Sequence, residues 1–167
     1  MKPKTLLGAI VLELASCSCS LFEPPRTAPL SEHCSAAPVA EDELAIVAHC
    51  KAKGPVLAAN EAVTVISFPT RPGRIPERGR PELGEATDAR GDEYEIVMLD
   101  RYCEDGAPCR EVFAVWPPFE HTDSGKGIYQ HGKLVGLAFA ADYQYGWAVS
   151  SAEIPTIRIN PIERRAP

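Results

Sequence analysis

Asp123-Ser124-Gly125 puts a hydroxyl in a tight, glycine-bearing turn just ahead of an apolar run, an arrangement that can hold a serine outward for attack on a carbonyl carbon. A serine hydroxyl is a weak nucleophile by itself. An imidazole activates it at neutral pH, so His33, His49, His121 and His131 are the candidate bases, and a carboxylate is needed to orient whichever one serves. Asp-Ser-Gly is also ordinary turn chemistry, and spacing alone does not separate a reactive serine from a structural one.

A second chemistry lies at the N-terminus. Lys2 and Lys4 precede an apolar run from Leu6 to Leu12, and small residues follow, the order of an export signal over residues 1–16. Leu14-Ala15-Ser16-Cys17 resembles the lipobox of bacterial lipoprotein precursors, which implies that Cys17 carries diacylglycerol and becomes the mature N-terminus. The implied partner is membrane lipid, and Ser18 in place of Asp favours the outer membrane. The expected location is the cell envelope, on the periplasmic side of the outer membrane or on an extracellular face.

Export permits disulfides. Cys34 with Cys50 and Cys103 with Cys109 are the two economical pairs, each closing a short loop, which leaves Cys19 over. No Cys-x-x-Cys pair occurs and the histidines are dispersed, so the expectation is no metal and no cofactor. A formal net charge of -6 has the wrong sign for a general nucleic-acid partner.

The elements that would position these groups read as strands. Sixteen prolines argue against long helices and for many reversals. Pro24, Pro25, Pro29 and Pro38 make residues 17–40 a tether, and residues 162–167 read as a flexible tail. Between them, Leu44 to Ala48, Val56 to Ala59, Glu61 to Phe68, Tyr94 to Leu99, Glu111 to Trp116, Ile128 to Tyr129, Leu134 to Ala140 and Gly146 to Val149 are strand-like. Continuous apolarity at Ile96-Val97-Met98 predicts burial on both faces there, the Cys103 to Cys109 segment reads as a stapled hairpin turn, and Ile157 and Ile159 suggest an edge strand. Trp116 and Trp147 read as core or rim packing residues. Arg71, Arg74, Arg78 and Arg80 give the proline-rich loop between strands a basic face that could meet an acidic envelope protein or lipid head groups. The fold class is all-β, a small closed or partly open antiparallel barrel spanning residues 41–161 as one domain.

The window from Thr122 to Tyr129, the Gly132-Lys133 turn, the Leu134 to Ala140 strand and Tyr145-Gly146-Trp147-Ala148-Val149 together resemble the nucleophile loop and following strands of trypsin-like, chymotrypsin-fold serine proteases. The resemblance implies a barrel of that family's second-barrel type with Ser124 at the nucleophile position. Two departures stand out: Thr122 occupies a position where the family has an oxyanion-hole glycine, and Lys126-Gly127 replaces Gly-Pro. Loss of one oxyanion donor costs about 3 kcal/mol of transition-state stabilisation.

The resemblance places base and acid in two ways. In one, Val47-Ala48-His49-Cys50 matches the Ala-Ala-His-Cys motif, with Cys34 as its disulfide mate and Glu95 as the acid. In the other, Asp42 to Val47 matches the acid-bearing strand and Asn60 to Pro69 a second-barrel strand, so Asp42 is the acid and too little chain remains upstream for a first barrel. The second register fits a longer stretch and removes the base. It leads to a membrane-anchored extracytoplasmic β domain that acts by binding or structural association. The alternatives are a serine endopeptidase using Ser124 and His49 with Glu95 or Asp42, and a cell-envelope or appendage assembly subunit.

Overall fold

β-branched and aromatic runs interrupted by Gly, Pro, Asn and Asp form short antiparallel strands throughout. The computed structural model describes residues 34–51, 54–69 and 75–156. The export segment, Cys17, Cys19, His33, Arg71, Arg74, Ile157 and Ile159 lie outside the described residues.

Two sheets result. β1 (Ala37–Ala40), β2 (Glu43–Val47), β3 (Val56–Ala59) and β4 (Val63–Ser67) form a four-stranded sheet in the order β1-β2-β4-β3. β5 (Gly84–Asp88), β6 (Glu93–Tyr102), β7 (Arg110–Trp116), β8 (Gly127–Gln130), β9 (Lys133–Ala141) and β10 (Gly146–Ser150) close a barrel in the order β10-β7-β6-β5-β8-β9. A 3-10 turn, Ser151–Glu153, follows, with Ser150 Oγ accepting from the Ala152 N–H at its start. The all-β expectation and the closed barrel hold, but the strands expected in one barrel from residue 41 divide between two sheets.

One core fills the barrel: Ala86, Tyr94, Ile96, Phe113, Val115, Phe119, Ile128, Val135, Ala138 and Ala148. A second lies between the barrel and the four-stranded sheet, where Leu44, Ile46, Val63 and Val65 meet Tyr129, Leu134, Leu137 and Val149. The β8-β9-β10 wall therefore has protein on both faces, which explains why Leu134 to Ala138 is apolar without alternation. Removing the side chains of this second core from water is the main force that holds the sheets together.

The expected two-sided burial at Ile96-Val97-Met98 is corrected. Ile96 is buried, but Val97, Met98 and Leu99 are 36%, 39% and 49% exposed. Beyond a register shift between Ile96 and Met98, β6 pairs only with β7, whose Val112 to Ala114 still pair with β10, and just Arg101–Tyr102 and Arg110–Glu111 extend beyond the barrel as a two-stranded arm. Both expected disulfides form, Cys34–Cys50 and Cys103–Cys109, the latter stapling the end of that arm. Two strands escaped the sequence reading. β1 contains Pro38, tolerated because β1 is an edge strand, and β5 offers only Ala86 as a buried apolar residue.

Candidate active site

β2 carries the chain to Ala48-His49-Cys50, where the Cys50 N–H donates to the Val47 carbonyl at 2.9 Å and turns the chain. Cys50 is buried and His49 exposed. β4 runs antiparallel beside β2 with Val47 opposite Val63, and the Ala48 N–H donates to the Ala62 carbonyl at 2.8 Å. This pairing brings Glu61, not Asp42 or Glu95, to the neighbourhood of His49. Asn60 fixes the start of β4: its Oδ1 accepts from the N–H groups of Ala62 and Val63, and its Nδ2 donates to the Glu153 carbonyl. His49, Ala48, Glu61, Ala62, Arg110 and Phe139 share the wall of a cavity of about 240 Å³.

Neither Asp42 nor Glu95 lines the His49 cavity. Asp42 occupies the β1–β2 turn with φ 56°, its carbonyl accepting from Phe68 N–H, so the strand that follows it is the histidine-bearing strand. Glu95 lies on β6 in the barrel, opposite Trp116 and Glu85. Asn60 to Pro69 belongs to the four-stranded sheet and not to the barrel. Glu61 and Glu104 are the carboxylates that share the His49 cavity, and sequence reasoning singled out neither. The signal for Glu61 was an acidic side chain just ahead of a β-branched run that could pair with the strand leading to His49.

Ser124 sits in a turn braced from several sides. The Asp123 N–H donates to the Glu120 carbonyl, Gly125 N–H to Ala138, Lys126 N–H to Asp123, and Ala138 N–H to Lys126. The Ser124 carbonyl accepts from the Ser35 N–H at 2.6 Å, and Cys50 Sγ lies 4.0 Å from the same oxygen. Gly125, at φ +86°, explains the third residue of the Asp-Ser-Gly turn: a Cβ there would collide with the Ser35 carbonyl. The disulfide-bearing segment that holds Cys50, and so His49, thus rests directly on the turn that carries Ser124.

Within this turn the N–H group of Thr122 donates to no described residue, while Ser124 is paired with Cys34 in a parallel bridge. Both donors needed for an oxyanion are backbone groups, so a threonine side chain at residue 122 does not by itself remove one. Ser124 borders a second cavity, of about 370 Å³, with Phe119, His121, Phe139 and Asp142. Phe119 packs against Tyr94 with ring centroids 5.4 Å apart, and a Cβ at Gly146 would come within 2.6 Å of its ring. No hydrogen bond joins Ser124 Oγ to His49, or His49 to Glu61, among the described residues. Glu61 is instead ion-paired with Arg110 at 2.6 Å.

Behind Ser124 lies a buried charge cluster. Lys126 Nζ is 2.8 Å from both Asp123 Oδ1 and Asp88 Oδ2, and 3.3 Å from the Tyr94 hydroxyl. Burial alone would lower the Lys126 pKa, but the two carboxylates hold it above its ordinary value. Burial would likewise raise Asp88, yet Lys126 and the backbone N–H groups of Asp92 and Arg90 keep it below the usual range. Tyr94 is pushed up by burial.

The remaining sequence candidates lie apart. His121 borders the Ser124 cavity, whereas His131 sits in the β8–β9 turn at φ 50°. Arg78 donates to the Ile154 carbonyl at 2.9 Å and Arg80 lines an open groove beside Leu99. Cys34, Cys50 and His49 offer three ligand atoms within 4.8 Å of one another, but the two sulfurs are bonded together and present no thiolate. Trp116 is 58% exposed and so lies at the rim, not in the core, while Trp147 donates Nε1–H to Asp142 at 3.0 Å.

No protein-family model matches the chain, and no curated protein matches it significantly. Solved structures do. The inactive form of the Rv3671c protease is 16% identical with a TM-score of 0.56, over 71% of this chain and 78% of that one. The active form of the M. tuberculosis protein is 17% identical with the same TM-score, over 71% of this chain and 69% of that one. The HtrA-type protease AlgW, solved with a decapeptide, gives 12% identity and a TM-score of 0.53, over 71% of this chain and 48% of that one. At these identities the likeness is one of fold: a closed six-stranded barrel with a second sheet packed against it, as in trypsin-like proteases.

Proposed function

We propose that this chain is a serine peptidase, with Ser124 as nucleophile, His49 as general base and Glu61 as the carboxylate that orients the imidazole. The observation that carries this reading is the seating of the Cys34–Cys50 segment on the Ser124 turn, through the Ser35 N–H bond to the Ser124 carbonyl. His49 is one residue from the sulfur that touches the nucleophile's own carbonyl. In the reaction, Ser124 Oγ attacks a peptide carbonyl carbon while His49 accepts its proton. The Thr122 N–H group stabilises the oxyanion. His49 then protonates the departing amine as the C–N bond breaks, and water releases the acyl group by the reverse proton path. The missing Ser124–His49 hydrogen bond does not exclude this, because such contacts are often long before substrate closes them.

A binding-only reading is favoured by one observation, the Arg110 ion pair that occupies Glu61. Purified mature chain treated with a fluorophosphonate probe decides between them. Stoichiometric labelling of Ser124, abolished in Ser124→Ala and reduced in His49→Ala, supports the peptidase. A folded chain that takes no label leaves peptide binding without turnover.

The same proposal places the domain on the envelope surface through acylated Cys17, supported by the Leu14-Ala15-Ser16-Cys17 motif. Cys17→Ala is expected to move the protein from the membrane fraction to the soluble one. Retention of the variant on the membrane at unchanged mass would remove the anchor.

A further inference from the structure

We infer that Lys126 is a positioning residue for Ser124: anchored to Asp88 on the barrel wall, its ammonium holds the Asp123 carboxylate and with it the turn that presents the Ser124 hydroxyl and the Thr122 N–H group. The inference rests on the peptidase reading for its catalytic consequence, but its structural half stands independently.

The geometry is that of a built clamp. Lys126, Asp123 and Asp88 are 7%, 4% and 4% exposed, a burial that charged side chains reach only when paired. Nζ bridges two elements, Asp123 in the Ser124 turn and Asp88 at the end of β5, with the exposed Asp92 carboxylate 3.8 Å away. The two carboxylates are not held equally. Asp88 Oδ1 accepts from the N–H groups of Arg90 and Asp92, at 2.7 and 3.0 Å, so its own turn fixes it. Asp123 has one other bond, Oδ2 accepting from Glu120 N–H at 3.0 Å, within the very turn whose position is in question. Without the ammonium, two buried carboxylates would face each other with like charge, and Asp123 is the one free to swing away.

Asp123 immediately precedes Ser124, and its backbone is tied to Glu120 and Lys126. Its withdrawal would therefore rotate the Thr122 N–H group together with the hydroxyl. Nζ touches no cavity that Ser124 borders, so Lys126 acts through Asp123 and not on substrate.

The test uses the mature chain with Lys126→Met, and with Asp88→Asn as a milder variant that keeps the Lys126–Asp123 pair but weakens its tether to β5. Amide exchange is followed in residues 120–126 against β2 and β7 as internal references. Fluorophosphonate labelling is resolved into probe affinity and maximal rate. Expected for Lys126→Met is faster exchange confined to the turn and a maximal labelling rate lowered by about a hundredfold, the cost of misplacing a reacting group by about 1 Å, with probe affinity little changed. Asp88→Asn should shift both in the same direction by less, and it decides the matter if Lys126→Met does not fold. Unchanged turn exchange and unchanged labelling in the folded variants would overturn the inference while leaving the peptidase reading intact. A wild-type chain that takes no label would overturn the reading, and the exchange data would still decide the clamp.

Discussion

Replacing Gly125 with Ala should separate backbone strain from collision at the point where the two sheets meet the nucleophile turn. Gly125 has φ +86°, and a left-handed conformation costs an L-residue roughly 1–2 kcal/mol. Gly91, at φ +89° with nothing within 4 Å of its would-be Cβ, carries that strain alone. At Gly125 the new methyl would also strike the Ser35 carbonyl, and relieving it means lengthening the 2.6 Å Ser35–Ser124 hydrogen bond. Loss of that bond costs about 1 kcal/mol, and overpacking adds roughly 1 kcal/mol or more. Gly125→Ala is therefore expected to be about 2 kcal/mol less stable than Gly91→Ala. In urea, with a slope near 2 kcal/mol per molar, that is a midpoint difference of about 1 M. Equal midpoints for the two variants at unchanged slope would refute the contact between the Cys34 segment and the Ser124 turn, and with it the route by which His49 reaches the site. If the contact holds, labelling of Ser124 in Gly125→Ala should fall as well.

Tyr129 is pushed up to about 12, first by burial and second by the nearby Asp88 charge. A raised folded-state pKa means that its stabilising contribution is whole below the unfolded value near 10 and is lost as pH rises from there to about 12. The loss at high pH should reach about 2–3 kcal/mol, measured as the urea midpoint against pH, and Tyr129→Phe should flatten that slope. An equally steep slope in the variant would assign the effect to other groups. For the acid, Glu61→Gln should slow fluorophosphonate labelling by at least about tenfold, whereas Glu95→Gln and Asp42→Asn should leave it unchanged. A rate that follows Glu95 or Asp42 instead would reverse the strand assignment given above.

Several parts of this molecule are legible from local chemistry. The β-branched runs at Val63 to Ile66 and Glu111 to Trp116 form strands where they read as strands, because strand preference there agrees with burial. Cys34 pairs with Cys50 and Cys103 with Cys109, as short separations favour. The Asp-Ser-Gly turn is a turn with its glycine at positive φ. Where the reading failed, non-local pairing was responsible. Leu99 is as apolar as Leu134, yet one is 49% exposed on β6 and the other lies under a second sheet. No local pattern reports whether a further layer arrives.

The choice among acids has the same origin. Asp42, Glu61 and Glu95 each precede or open an apolar strand, and residue types alone rank them equally. Only the antiparallel register of β2 on β4 brings Glu61 toward His49, leaving Asp42 in a turn and Glu95 on the barrel. Lys126 reads in the chain as a departure from a motif and in the fold as the ammonium between Asp123 and Asp88, because β5 and the Ser124 turn converge there. Strand tendency, turn chemistry and short disulfide loops depend on neighbours in sequence, so the chain alone determined them. Which charges meet depends on strand register and on the packing of one sheet against another, and tertiary structure decided it.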